Sequence, residues 1–484
     1  MAELPRHSLY IGGKWVEPAG GEHTQVLDPA TNRPIAEVAS GSKEDIRAAV
    51  EAARQAFENP EWRGMDPSKR GRLLYALGQA IRDSFEDVAR IESQNVGKPL
   101  REAKGDVAYV YKLFEYYAGL ADKIQGDTIP VPGNRLDYTV REPVGVTGHI
   151  APWNYPLTLA CRGIAPALAA GNTVVLKPAS LTPLSALRLA ELTAKVGFPP
   201  GVVNVVTGPG STAGQALADH PDVDSMTFTG STETGKQIMT LAARHVTPVA
   251  LELGGKNPQI VFPDAKLDRA LKGVLFGAFQ NAGQMCWAGS RVYVHESIRE
   301  DFLRKLADAA GKMKLGPGLK EETQMGPVVS RSQEETVLGY IEAGTKEGAT
   351  ILAGGKRADA ADLKDGNFVQ PTIFGDVDAG MRIAREEIFG PVLCAFDFTD
   401  VDEAVAAANA TPYGLMAGVW TQSLQTAHRV AARLEAGMVN INEYPITFPQ
   451  TPFSGFKESA LGHEQGIDAV LHYTRVKNVT VNLD

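Results

Sequence analysis

Cysteine is scarce in this chain of 484 residues: Cys161, Cys286 and Cys394 are the only three, and they lie far apart. Three scattered thiols make no even disulfide framework and have no metal-ligand spacing. That excludes a cysteine-held metal site and fits a reducing, cytoplasmic setting. Long apolar runs are also missing. No stretch approaches the roughly 18 apolar residues of a membrane-spanning helix, so no membrane partner is expected. The first residues, Met-Ala-Glu-Leu-Pro-Arg-His, do not follow the basic-then-apolar order of a signal peptide. Basic charge is not in excess either. The 48 Lys and Arg against 57 Asp and Glu leave a net charge of −9, which argues against a nucleic-acid partner, since such proteins carry a basic face. Internal repeats and low-complexity segments are absent. So is the G-x-G-x-x-G fingerprint at a first β–α turn, which excludes the ordinary dinucleotide-binding arrangement.

What is present is ordinary globular material, 44% hydrophobic and 22% charged, long enough for two or more domains. Residues 8–40 read as short strands and turns, with a hairpin at Tyr10–Val16 turning on Gly12-Gly13. A helix capped by Ser42 follows, then helices over roughly 67–93 and 99–122. The segment 124–141 reads as a protruding hairpin. From Val144 to Leu253, five strand-like runs alternate with helix-like runs, which implies a parallel sheet with right-handed crossovers. Ligands bind at the carboxyl ends of such strands. After Asp264 a second alternating section begins, with a strand over Phe368–Phe374 among its elements, and it reads as a second α/β domain. The tail, Thr474–Leu483, is an imperfectly alternating strand with no neighbour in sequence to pair with, suited to another subunit's sheet edge.

Two residues stand out at its centre. Glu252 closes an apolar strand just before Gly254-Gly255, and Cys286 sits in the loop Asn281-Ala282-Gly283-Gln284-Met285-Cys286-Trp287. A thiolate that attacks and a carboxylate that activates water are what covalent catalysis with later hydrolysis needs. Each residue also has a plainer reading: a free cysteine is commonly a small core hydrophobe, as read for Cys161 and Cys394, and a glutamate is commonly solvated or ion-paired. Asn154 can cap the helix that follows it or donate to a developing oxyanion. Lys177 can be an ordinary surface lysine or hydrogen-bond ribose hydroxyls. Gly230 to Gln237 is nearly a phosphate-binding P-loop, but Gln237 replaces the Mg²⁺-binding hydroxyl, so a glycine turn under a dinucleotide pyrophosphate is the better reading.

Taken together, Pro152-Trp153-Asn154, Lys177-Pro178, Gly230-Ser231-Thr232, Glu252-Leu253-Gly254-Gly255-Lys256, Gly283-Gln284-Met285-Cys286 and Glu386-Glu387-Ile388-Phe389-Gly390-Pro391 occur in the order and spacing of the aldehyde dehydrogenase superfamily, and the chain resembles that family over its whole length. The resemblance implies an α/β fold with three parts. These are a Rossmann-like NAD(P)-binding domain (1–122 and 142–253), a second α/β catalytic domain (254–454), and a small β oligomerisation element (123–141 and 455–484) that builds a homodimer or homotetramer. It implies the non-acylating, hydrolytic reaction of a small-molecule aldehyde. Cys286 attacks the carbonyl, the Asn154 amide and the Cys286 N–H hold the oxyanion, and Glu252 activates the water that cleaves the thioester. Lys177 would hold the adenosine ribose, Ser231 the pyrophosphate and Glu387 the nicotinamide ribose, with Phe389 against the ring. Ile150, Pro152, Trp153, Ser180, Gly210, Gly230, Leu253 and Gly254 complete the cofactor contacts. Glu464 matches a second family glutamate that assists as a base. The alternatives are a relative that transfers the acyl group to coenzyme A and, more remotely, a P-loop-like nucleotide-binding protein.

Departures from the family pattern carry further expectations. Ser180 stands where many NAD-preferring relatives have Glu. A hydroxyl beside Lys177 would not repel a 2′-phosphate, so NADP is expected to be accepted alongside NAD. Arg162 stands where Trp is common. It can bind a substrate carboxylate bidentately, stack on a ring, or be paired internally, and it resembles branches that oxidise semialdehydes or aromatic aldehydes. Gln280 stands near where succinate-semialdehyde relatives place a second arginine. Tyr155, Trp287, Tyr444 and Phe448 would add aromatic surface to the substrate funnel.

Overall fold

The computed structural model describes residues 4–484. Its α/β architecture rests on two large sheets joined by one short strut. In the first sheet five parallel strands run Val249–Glu252, Ser225–Thr229, Val146–Ile150, Thr173–Lys177, Val203–Val205 in spatial order. The chain builds outward from Val146–Ile150 in one direction, then returns to build outward in the other. The carboxyl ends of Val146–Ile150 and Ser225–Thr229 therefore flank a topological switch point, where helices depart to opposite faces and leave a crevice. Every residue of these two strands is buried, as expected of strands covered on both faces.

Both edges of this sheet are closed by chain from far away. Leu9–Ile11 pairs antiparallel with Val203–Val205, and its hairpin to Lys14–Val16 turns on Gly12 and Gly13, both at positive φ. At the opposite edge Ala460–Leu461 pairs antiparallel with Leu251 and Glu252. Part of the 455–484 stretch thus belongs to this sheet rather than to a separate element. The helix Lys43–Glu58 begins at a reciprocal cap: Ser42 accepts from the Asp45 N–H, and Asp45 accepts from the Ser42 N–H. The helical stretch expected over 67–93 is two helices, Pro67–Asp83 and Phe85–Val96, broken at Ser84.

The second sheet has seven strands, in spatial order Thr350–Ala353, Thr372–Gly375, Val392–Phe398, Arg291–His295, Pro258–Val261, Met416–Trp420 and Met438–Ile441. All neighbours are parallel except the first pair. The strand expected from Phe368 starts only at Thr372. The strut between the sheets is Leu253-Gly254-Gly255-Lys256-Asn257, which leads directly from Glu252 into Pro258–Val261.

The tail departs from expectation. Thr474–Asn482 pairs along its full length with Arg135–Pro143 of the same chain. The partner was invisible in sequence because more than 300 residues separate the two strands. The tip of the 124–141 segment folds back on this ribbon through a Thr128–Tyr138 bridge. Among the described residues no strand pairs with the second edge of Thr474–Asn482.

Candidate active site

The loop before Cys286 is built from an unusual run of backbone. Asn281, Ala282 and Gly283 all have positive φ, at 48°, 53° and 70°, a region L-residues rarely occupy. Such a run persists only where its surroundings hold it, and here they do. Glu102, from the helix Leu100–Leu120, accepts the Asn281 N–H at 2.9 Å. The Asn281 amide donates to the Asn154 carbonyl at 2.9 Å, and the Asn154 amide donates to the Gln284 carbonyl at 2.9 Å. Gln284 in turn donates to the Asn281 carbonyl and accepts from the Val329 N–H. Asn154 is therefore fixed in orientation with one of its two amide hydrogens uncommitted to Gln284.

Asn257 brings Cys286 to the strut. Its amide donates to the carbonyls of Cys286 and Ala288, each at 2.9 Å, while its oxygen accepts the Met416 N–H. Five residues upstream is Glu252, so one asparagine ties the carboxylate's strand to the thiol's loop. Gly255 is needed here, because a Cβ would stand 2.3 Å from the Cys286 carbonyl oxygen. At Gly254 a Cβ would stand 2.3 Å from a Glu387 oxygen, so a side chain there would push that carboxylate aside. Glu387 accepts the Gly255 N–H at 3.0 Å, and burial lifts its carboxyl to about 7.

Two cavities meet at this point. One, of about 300 Å³, lies at the switch point and is lined by Pro152, Trp153, Gly230, Ser231, Leu253, Gly254, Glu387 and Phe389 among others. Trp153 and Phe389 face each other edge to face, 5.2 Å between centroids. Ser231 caps the twelve-residue helix Thr232–Ala243, whose N-terminus opens on this cavity. The second cavity, of about 390 Å³, is lined by Tyr155, Arg162, Gln280 and Trp287 among others. Asn154 and Cys286 line both.

The expected residues do not all line these two cavities. Ile150, Lys177, Ser180 and Gly210 lie outside the switch-point cavity, on the neighbouring strand ends. Ile150 pairs in register with Lys177, whose ammonium burial lowers to about 8. The Ser180 hydroxyl donates to the Gly208 carbonyl at 2.8 Å. Tyr444 and Phe448 do not line the second cavity. Tyr444 packs beneath it and donates its hydroxyl to the Trp287 carbonyl at 2.6 Å, while Phe448 points outward, half exposed. Pro445, Ile446 and Thr447 between them supply that wall. Lys236 of the P-loop-like stretch turns away to Glu458, at 2.9 Å, rather than toward any phosphate position.

Glu252 lines neither cavity. It is buried, one of its oxygens has no hydrogen-bond partner, and burial together with Glu464 raises its carboxyl well above the ordinary range, against the pull of Arg162. Arg162 contacts Glu464, Nη2 to Oε2 at 2.5 Å, and its guanidinium lies 3.8 Å from the centre of the Phe453 ring. The contact is one of charge rather than an aligned hydrogen bond. Burial pushes the Cys286 thiol up to about 12, again opposed by Arg162. Cys161 and Cys394 are core residues with no exposed surface.

Sequence reasoning missed Glu102, Asn257, Asn281 and Phe453. Asn281 opens the cysteine loop and Asn257 follows the Glu252–Lys256 run, but polar residues in loops carry no mark of which carbonyl they reach. Glu102 lies on an amphipathic helix with nothing to separate it from solvated neighbours.

Comparison with known proteins places these features. The aldehyde dehydrogenase family profile matches residues 15–479. The chain is 46% identical to hydroxyisobutyraldehyde dehydrogenase of Mycolicibacterium austroafricanum, over 98% of this chain and 94% of that one. It is 44% identical to betaine aldehyde dehydrogenase of Bacillus subtilis (strain 168), over 98% and 97%. Among solved structures, the NAD⁺ complex of aldehyde dehydrogenase from Bacillus cereus superposes with a TM-score of 0.97 at 46% identity, covering 99% of this chain and 97% of that one.

Proposed function

The chain belongs to the aldehyde dehydrogenase family, and from that premise we propose that it oxidises an aldehyde to the carboxylic acid through a covalent adduct on Cys286, with NAD or NADP as oxidant. The observation that carries this reading is the wall shared by the two cavities: Cys286 and Asn154 face both. A substrate in the larger chamber and a dinucleotide at the switch point would meet at the sulfur from opposite sides.

The residues present suit a dinucleotide. Gly254 leaves a cradle that a Cβ would fill, the helix behind Ser231 offers its N-terminal N–H groups to a pyrophosphate, and Glu387 is placed to accept from ribose hydroxyls. When bound, the nicotinamide supplies the oxidising power by accepting a hydride. The chain's own residues do the rest. The Cys286 sulfur, once deprotonated, adds to the carbonyl. The free hydrogen of the Asn154 amide, with the Cys286 N–H, receives the oxyanion, and a fixed donor of this kind accounts for about 10²–10³ in turnover. Glu252 turns toward Cys286 and takes a proton from the water that hydrolyses the thioester. In this reading Lys177 and Ser180 would meet the adenosine ribose, beyond the switch-point cavity. Ser180 presents no charge to a 2′-phosphate, which supports use of NADP beside NAD, the ligand in the Bacillus cereus structure.

The test is reduced-nicotinamide absorbance with NAD and NADP crossed against benzaldehyde, hexanal and betaine aldehyde. We expect turnover without coenzyme A. It should be lost in Cys286→Ala and cut by about 10²–10³ in Asn154→Ala. Turnover that requires coenzyme A would replace this reading with the acylating one, and strict exclusion of NADP would overturn the role given to Ser180.

A further inference from the structure

Two arginines line the larger chamber, Arg101 and Arg162. Arg101 is committed elsewhere: it donates to the carbonyls of Thr323 and Gln324 and lies 3.7 Å from Glu102. Two observations bear on what the buried one, Arg162, does. The first is that it is already occupied. Glu464 touches its guanidinium at 2.5 Å, Phe453 covers one face of it at 3.8 Å, and Glu252, Tyr109 and Cys286 are the other ionisable groups that face it. The second is that Glu102 and Asp106 line the same chamber, Asp106 paired with the buried Lys98 at 2.6 Å. A substrate carboxylate would have to displace Glu464 from a buried ion pair, leaving that carboxylate uncompensated, and would face further acidic groups in the chamber. Several of the other polar atoms on the walls are neutral. The hydroxyls of Tyr109, Tyr155 and Thr158 and the amide nitrogen of Gln465 are buried without a hydrogen-bond partner. Leu159, Phe276, Trp287, Ile446 and Phe453 supply apolar surface. Buried neutral groups left without partners are what a neutral polar group on a ligand would satisfy.

We propose that Glu464 takes Arg162 out of play as an anion receptor, so that the chamber selects uncharged aldehydes with an aromatic or branched apolar body carrying a hydroxyl, and rejects aldehydes bearing a carboxylate. This rests on the aldehyde-oxidising reading above and narrows the semialdehyde-or-aromatic expectation to its uncharged half. Arg162 and Glu464 are then specificity-determining residues acting as a pair.

The experiment compares benzaldehyde, 4-(hydroxymethyl)benzaldehyde and 4-carboxybenzaldehyde. The last two have nearly the same shape and differ in charge. In the wild type, kcat/KM for the hydroxymethyl compound should exceed that for the carboxylate by on the order of 10², the penalty of a like-charge, desolvated contact. In Glu464→Gln, which frees Arg162, that ratio should fall at least tenfold whatever happens to the absolute rates. In Arg162→Met the carboxylate should remain rejected. Calorimetric binding of the same three aldehydes to Cys286→Ala should show the same preference, and this readout does not depend on turnover. Loss of all turnover with the binding preference intact would refute the proposed reaction but not this inference. Comparable use or binding of the carboxylate by the wild type, or its selective loss in Arg162→Met, would overturn the inference.

Discussion

Cys286 and Glu252 are both held in their neutral forms by their surroundings. Burial pushes the thiol up to about 12, and burial with Glu464 nearby raises the carboxyl; Arg162 opposes both shifts. Each must lose its proton to act, the one as nucleophile and the other as base. Activity therefore should climb as pH rises from neutral into the alkaline range, and a pH–kcat/KM profile checks it; a profile flat between about pH 6 and 9 would contradict the shifts. Arg162 is the cation that moderates both groups, so Arg162→Met should move the rising limb to higher pH as well as leaving substrate charge preference unchanged. Residue identity was the most legible layer. Cys286, Glu252 and Asn154 stood out because their types suit one chemistry at strand ends and loops. What their neighbours do to their protonation was not legible, since burial and the Arg162–Glu464 contact are properties of the folded chain.

At the scale of elements, the site depends on a strut and a strained loop rather than on any one helix or strand. Asn257 spans them with three hydrogen bonds. Asn257→Ala removes all three and leaves two carbonyls and an N–H unpaired near the protein interior, a cost of about 1–3 kcal/mol for each group that water cannot reach. We expect a lower unfolding temperature by calorimetry and a loss of kcat of at least tenfold, with cofactor binding less affected because the switch-point cavity rests on other residues. Asn257→Asp keeps the acceptor to Met416 but turns a buried carboxylate oxygen toward two carbonyls, and should cost at least as much. The strands and helices around the strut were readable from periodicity and caps, as at Ser42. The break at Ser84 and the late start at Thr372 were not, because helix and strand ends are settled by local packing. Tyr444 and Phe448 show the same limit: aromatics near a site line it or support it according to backbone direction, which the residue type does not reveal.

For the whole molecule, the ribbon of Arg135–Pro143 and Thr474–Asn482 is the part with most to gain from a second copy. Its outer edge pairs with no strand among the described residues, and Leu136, Val476, Val481 and Leu483 are exposed, Val476 at 57%. Unpaired edges with apolar side chains invite pairing. We propose that the protein assembles as a homodimer or homotetramer through this edge. Val476→Lys with Val481→Lys should shift it to a smaller species in light scattering while leaving the in-chain ribbon paired; an unchanged mass would place the interface elsewhere.

The α/β class, the alternation that makes a parallel sheet and the candidate residues of the site were readable in the sequence, because hydrophobic periodicity, turn residues and reactive side chains are local properties. The pairings between distant segments emerge only in the folded chain. Folding set Ala460–Leu461 on the edge beside Glu252, Thr474–Asn482 against Arg135–Pro143, and Glu464 against Arg162. Pairing across hundreds of residues is chosen by which surfaces the whole chain can bury together, and no window of sequence contains that choice.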